Sequence, residues 1–333
     1  MRKYIAGIAL LVVLAALSVP AIFLTDCYSG DDSQAYVFIG QGDTPASVKS
    51  RLSEAGVRAT GFSLLSKVVG YHVRPGRYVV RRGDNLFTLF RRLRNGQQEP
   101  VNLTIPSVRT MDRLAAYLGE HLMLDSVELR KAFSDSLFCR QYGYSVATLP
   151  ALFIPNTYQL YWNVSLNDFM KRMQRENRAF WTEERNRKAQ AMGLSHEQVA
   201  TLASIVDEET TNNPEKPMIA GMYIKRLRVG MPLQADPTVK FAIGDFSLRR
   251  IWGSHLTVDS PYNTYRNKGL PPGPIRIPSV AGIDAVLDYV PHDYLFMCAK
   301  EDFSGTHNFA KTYKEHLQNA RRYTQALNER GIK

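Results

Sequence analysis

The stretch Leu194-Ser195-His196-Glu197-Gln198-Val199-Ala200-Thr201-Leu202-Ala203-Ser204-Ile205-Val206-Asp207-Glu208-Glu209-Thr210-Thr211 decides how the chain is read. Ser195-His196-Glu197-Gln198 has the form of a capping box, with Leu194 and Val199 at hydrophobic-staple positions around it. The predicted helix is mostly apolar through Val206 and ends in the acids Asp207, Glu208 and Glu209. Like charges at a helix C-terminus repel one another and oppose the macrodipole. Such local conflict is expected at functional sites more than elsewhere. At about 100° per residue, Val199, Leu202, Ile205 and Val206 define an apolar direction. Glu209 falls about 40° from it, Asp207 about 120° and Glu208 about 140°. Glu209 alone is therefore expected to point inward, with Asp207 and Glu208 on a wall or in solvent. Burial raises a carboxyl's pKa, as a general acid at neutral pH requires. Glu209 is the candidate catalytic residue.

The N-terminus sets the compartment. Arg2 and Lys3 precede an uncharged run from Tyr4 to Leu24, with Asp26, Asp31 and Asp32 after it. About 20 apolar residues span a bilayer, whereas the apolar core of a signal peptide is about 7–15. Run length favours a retained anchor, although Ala16-Leu17-Ser18 is a passable cleavage site and Leu24-Thr25-Asp26-Cys27 a poor lipoprotein signal. The positive-inside rule leaves the N-terminus in the cytosol and the rest outside. The expected topology is thus single-pass, with residues 4–24 as the membrane partner and the rest exported.

The chain has 333 residues with 42 Lys+Arg against 31 Asp+Glu, a net charge of +11. Its length fits two domains, and its 44% hydrophobic content excludes a mostly disordered chain. Cys27, Cys139 and Cys298 share no short spacing, and the seven histidines form no His-Glu-x-x-His. Neither a disulfide framework nor a metal site is expected, and no cofactor. The charge permits a polyanionic partner, but with the chain exported no nucleic acid is expected.

After a polar linker to about Gln34, two similar segments follow. Val37-Phe38-Ile39-Gly40-Gln41-Gly42-Asp43-Thr44 leads into helical spacing at Val48, Leu52 and Ala55. Tyr78-Val79-Val80-Arg81-Arg82-Gly83-Asp84-Asn85-Leu86 leads into Leu89, Phe90 and Leu93. In each, a short strand meets a Gly-Asp turn before a helix, with Asp43 or Thr44, and Asp84 or Asn85, as caps. The second segment resembles a LysM module, a small fold associated with N-acetylated glycans. It is also basic, through Lys67, Arg74, Arg77, Arg81, Arg82, Arg91, Arg92 and Arg94. Beyond Val101 the pattern is mainly helical, with spacing at 111–124 and 168–192 around an aromatic stretch, Phe153 to Trp162.

With these residues in view, the chain resembles the YceG-like endolytic murein transglycosylases, the MltG type. That family carries a segment similar to Ala203–Thr210 ending in Glu-Lys-Glu-Thr, whose second Glu is catalytic and aligns with Glu209. Gly230-Met231-Pro232-Leu233-Gln234-Ala235-Asp236-Pro237-Thr238-Val239, Tyr262-Asn263-Thr264-Tyr265, Gly269-Leu270-Pro271-Pro272-Gly273-Pro274 and His307-Asn308-Phe309 resemble later family blocks. Asp207 and Glu208 stand where the family has Glu-Lys, and Asn308 stands where it has Thr.

The resemblance implies an α+β fold: a transmembrane anchor and linker over 1–34, a LysM-like module over 35–97, and a mixed α/β catalytic domain over 98–333. The implied substrate is the peptidoglycan glycan strand, cut between MurNAc and GlcNAc without water to leave 1,6-anhydro ends. Coupling to cell-wall synthases is implied by the family alone. Gln234 and Asn263 would bind acetamido or hydroxyl groups, and Tyr262 and Tyr265 would stack on sugar or orient Glu209. Asp236 would contact sugar or cap a helix. Thr264 is a further contact or only a turn hydroxyl, and His307 has a supporting role. Pro271-Pro272-Gly273-Pro274 would form a stiff cleft wall. Two rivals stay open: a two-carboxylate hydrolase with Asp236 as second acid, and a non-catalytic glycan-binding protein.

Overall fold

The computed structural model describes residues 23–248 and 251–331. Nearly all of the apolar run from Tyr4 to Leu24, and with it the expected anchor, lies outside the described residues. Among the described residues no helix is long and apolar enough to cross a membrane. The architecture is mixed α/β, in two compact units.

The first unit takes in the described residues up to Leu103 together with Leu118–Leu124 and Tyr158–Ser165. Strands β1 (Gln34–Ile39) and β2 (Gly76–Arg81) pair antiparallel, with Gln34 opposite Arg81 and Ile39 opposite Gly76. Helices α1 (Pro45–Glu54), α2 (Phe62–Val69) and α3 (Leu86–Asn95) cover this pair. Val37, Ile39, Val48, Leu52, Phe62, Tyr78, Leu89 and Leu93 make the core.

The two similar segments prove alike in detail. Thr44 caps α1 in a capping box with Ser47, and Asn85 caps α3 by accepting from the Thr88 amide. The preceding aspartates do something else. Asp43 accepts from the Gly40 amide at 2.7 Å and pairs with Arg51 at 2.9 Å. Asp84 accepts from the Arg81 amide at 2.8 Å and pairs with Arg92 at 2.6 Å. Each turn is thus closed by an Asp that reaches back three residues and forward eight. Arg92 is spent on this internal bond, which removes it from the free basic face. Residues 25–34 are not the linker expected: Cys27 and Tyr28 are buried, and the Cys27 amide donates to Asp84 O at 2.8 Å.

The second unit comprises Thr104–Tyr117, Asp125–Thr157 and Leu166–Lys333. The strands β3 (Val101–Thr104) and β4 (Thr157–Leu160), whose residues fall mostly in the first unit, form a second two-stranded sheet. In chain order come α4 (Met111–His121), α5 (Ser126–Ser134), α6 (Ser136–Gln141), α7 (Leu166–Phe180) and α8 (Glu183–Met192). The helical pattern at 168–192 is therefore two helices. The break at Trp181-Thr182 stacks the indole on His196 at 3.9 Å, and Thr182 caps α8. Within the aromatic stretch, Phe153 is fully buried between Phe133 and Phe169, so it is core.

At the centre lies α9 (His196–Glu209), opened by the Ser195–Gln198 capping box. It packs against α10 (Lys216–Arg228), α11 (Asp236–Ile243) and α12 (Val280–Leu287). Every residue from Val199 to Asp207 is buried, so α9 has no solvent face along that length. Strands β5 (Phe296–Ala299) and β6 (His307–Ala310) pair antiparallel, and α13 (Tyr313–Glu329) packs on both.

Gly273 sits where a Cβ would stand 2.0 Å from the carbonyl oxygen of Ala147. Backbone cannot give way as a side-chain tip does. Gly273→Ala is expected to cost about 1–3 kcal/mol, read as a lower denaturation midpoint; an unchanged midpoint would mean that the Ala147 segment is free to move.

Candidate active site

The helix end solves its charge conflict in two different ways. Asp207 is buried, with Lys216 Nζ at 2.7 Å and the Ser279 amide and hydroxyl donating at 2.6 and 2.8 Å. Glu208 is held by Arg109 through two bonds of 2.8 Å and by Arg276 at 3.0 Å. The wheel placed both acids on a wall or in solvent; Glu208 is half-buried in its ion pairs, whereas for the buried Asp207 this expectation is corrected. A single apolar direction cannot describe a helix that is covered on all sides, and Asp207 enters the interior because Lys216 and Ser279 meet it there. At the Glu208 position, acid in place of the family's Lys is matched by two arginines.

Glu209 has no such cation. Its Oε1 accepts from the Tyr223 hydroxyl at 2.5 Å, and Tyr223 is itself buried on α10. Burial pushes the Glu209 pKa above the ordinary carboxyl value, and the nearby Asp236 charge adds to this. The Tyr223 hydrogen bond, His307 and Arg226 act the other way. Desolvation is the leading cause, so the acid is held toward its protonated form.

Glu209 opens onto a cavity of about 430 Å³ lined also by Tyr223, Arg226, Gln234, Asp236, Tyr265, Phe296, Tyr313 and His316. That volume is within the range of small-molecule sites, about 300–1,000 Å³. Asp236 is the first residue of α11, with Ala235 as the cap, and its Oδ1 accepts from the Tyr265 hydroxyl at 2.5 Å. Gln234 is exposed with φ +49°, in the left-handed region that non-glycine residues seldom adopt. Its amide is tied to the Thr264 carbonyl at 3.1 Å. Strained backbone at a cavity rim is a recurring mark of functional positions.

Of the residues singled out in the sequence, Glu209, Gln234, Asp236 and Tyr265 come together at this cavity. The others brace it. Asn263 is fully buried; its amide donates to the carbonyls of Leu256 and Val258 at 2.9 and 2.8 Å, and its Oδ1 accepts from the Tyr265 amide at 3.0 Å. Thr264 is buried too, accepting from the Ala235 amide at 3.0 Å and touching the Thr238 hydroxyl at 2.8 Å. Tyr262 packs on Phe241 at 4.7 Å. His307 is bound to Glu215 through its amide and ring, at 2.6 and 3.0 Å. Leu270-Pro271-Pro272 lines a separate cavity of about 660 Å³ with Ser195, Glu197 and Gln198, at the opposite end of α9 from Glu209.

Sequence reasoning passed over Tyr223, Arg226 and His316. The available signal was Tyr223 and Arg226 three residues apart in a helix that otherwise turns apolar residues inward, since i,i+3 neighbours share a face. His316 had none, because α13 reads as an ordinary amphipathic helix.

A mixed α/β domain that delivers one cation-free, desolvated carboxyl to a polar cavity defines the site's class. The chain belongs to the YceG-like family, whose model matches residues 37–322. It is 28% identical over 273 residues to an endolytic murein transglycosylase of Bacillus subtilis, covering 77% of this chain and 75% of that protein. It is 26% identical over 331 residues to an endolytic murein transglycosylase of Streptococcus pneumoniae, covering 86% of this chain but 58% of that protein's length. The crystal structure of a yceG-like protein from Listeria monocytogenes superposes with a TM-score of 0.57 at 25% identity, covering 86% of this chain and 98% of that one.

Proposed function

We propose that this protein is an endolytic murein transglycosylase that cuts peptidoglycan glycan strands internally between MurNAc and GlcNAc. The observation that carries it is Glu209: alone of the three acids ending α9 it lacks a cation, lies in a polar cavity and has a raised pKa. Protonated Glu209 gives its proton to the glycosidic oxygen as the bond to C1 breaks. The resulting carboxylate then takes a proton from the C6 hydroxyl of the same sugar, whose oxygen closes onto C1. One residue serves in both steps because they are sequential. The Tyr223 hydroxyl steadies the carboxylate between them. Gln234 and Tyr265 are the sugar contacts, while Asn263, Thr264, Tyr262 and His307 hold the walls.

The rest of the chain fits this role. Residues 4–24 would anchor the protein in the bacterial inner membrane with the catalytic unit outside, and the first unit would serve as a LysM-like module that meets the glycan. Placed there, the enzyme would terminate or trim strands beside the cell-wall synthases.

Digestion of purified glycan strands with mass analysis of the new ends tests the reaction. Anhydro ends are expected; no cleavage would leave a glycan-binding protein. Asp236 in the same cavity favours one second reading, a two-carboxylate hydrolase, which would give reducing ends.

The pH profile gives a further check. Asp236 raises the Glu209 pKa, so Asp236→Asn is expected to lower it and move the basic limb of the activity profile to lower pH. An unmoved limb would mean that Glu209 does not set it.

A further inference from the structure

Acid–base chemistry at Glu209 leaves two groups of its cavity unused. Arg226 is only 6% exposed. Its Nε and Nη1 donate to the carbonyls of Leu295 and Leu233, which leaves Nη2 without an acceptor among the described residues. No carboxylate among those residues ion-pairs with it, as the neighbouring acids bind elsewhere: Glu209 to Tyr223, Asp236 to Tyr265. A buried guanidinium without a counter-ion is costly to keep. On α13, His316 stacks on Phe296 with ring centroids 5.5 Å apart, and the Arg226 guanidinium lies 5.6 Å from the same ring. The His316 Nδ1 is buried with no hydrogen-bond partner. Burial and the Arg226 charge hold this imidazole below the usual histidine pKa, so it is neutral at pH 7.

Two unsatisfied nitrogens lie on one aromatic platform, the charged Arg226 Nη2 donor and the His316 Nδ1, which donates in its Nδ1–H tautomer, and together they can serve the two oxygens of a carboxylate. We propose that Arg226 and His316 form an anion subsite that takes the ionised lactyl carboxylate of a muramoyl residue whose peptide has been removed. One oxygen accepts from Arg226 Nη2 and the other from His316 Nδ1–H. In a peptide-bearing strand the same carbon is an amide with a single uncharged oxygen, so the subsite favours peptide-free stretches. This assignment rests on the function proposed above.

Calorimetry on the full chain carrying Glu209→Gln, at pH 7 and low salt, tests it with three ligands. These are a GlcNAc–MurNAc tetrasaccharide with free lactyl carboxylates, its methyl ester, and a neutral GlcNAc tetrasaccharide. The free acid is expected to bind at least about tenfold more tightly than the ester. Arg226→Gln should erase the difference, and His316→Phe should reduce it severalfold. Should Arg226→Gln fail to fold, the acid–ester comparison decides alone. Equal affinity for acid and ester overturns the subsite and leaves the enzyme assignment standing. Binding of no glycan at all overturns both.

Discussion

Glu209→Gln is expected to lower strand cleavage by about 10²–10⁴-fold without loss of fold. The amide has the size of the carboxyl and can still accept from Tyr223, so the hydrogen bond at the end of α9 survives. What is lost is the proton that the leaving oxygen needs, and the base that follows. Stability should move the opposite way. The folded pKa of Glu209 is raised above 4.5, so between 4.5 and that value the native state holds more protons than the unfolded one. Stability then falls as pH rises through that window, and the deficit persists above it. Gln removes the deficit, so the variant should melt higher than wild type at pH 7, by about 2–4 °C for each kcal/mol recovered. A variant that cleaves at the wild-type rate would remove Glu209 from the mechanism.

Lys216→Met is expected to cost about 3–5 kcal/mol, because it leaves a buried charge without its partner. The side chains of Lys216 and Asp207 are 7% and 4% exposed, and water cannot take over the lost contact. The Ser279 amide and hydroxyl remain, but both already bond Asp207. Asp207→Leu with Lys216→Met should recover much of the loss, since matched apolar pairs often replace buried ion pairs at little cost. Urea denaturation followed by circular dichroism measures both. A single variant with a wild-type midpoint would show that Asp207 finds another partner. The pair also ties the end of α9 to the start of α10 two residues before Glu209, so glycan cleavage should fall along with stability.

Local signals were legible and long-range ones were not. The Ser195–Gln198 box, the Asn85 cap and the helical spacing at Leu89, Phe90 and Leu93 depend on residues a few positions apart, and each formed as expected. Glu209 was expected to point inward because it lies near the apolar direction of its own helix, and it lines the cavity. Asp207 was misplaced because its partners, Lys216 and Ser279, lie on other elements, and a wheel carries no record of them. Asn263 was read as a sugar contact, and Thr264 as a contact or only a turn hydroxyl, from the resemblance of their block to the family's. Their partners, the carbonyls of Leu256 and Val258 and the Thr238 hydroxyl, become visible only once the loop is folded. The break at Trp181 was missed for the same reason: its cause is the stacking on His196.

The cavity has walls of unequal firmness. α9 supplies Glu209 from a run of nine buried residues, whereas α13, which supplies Tyr313 and His316, has no buried residue along its length. Local opening is cheapest where least apolar surface is buried. Amide hydrogens of α13 should therefore exchange long before those of α9, so the wall that carries His316 loosens before the one that carries Glu209. The Glu209 carboxyl and the α13 wall are then separate mechanical parts, and loosening one need not disturb the other.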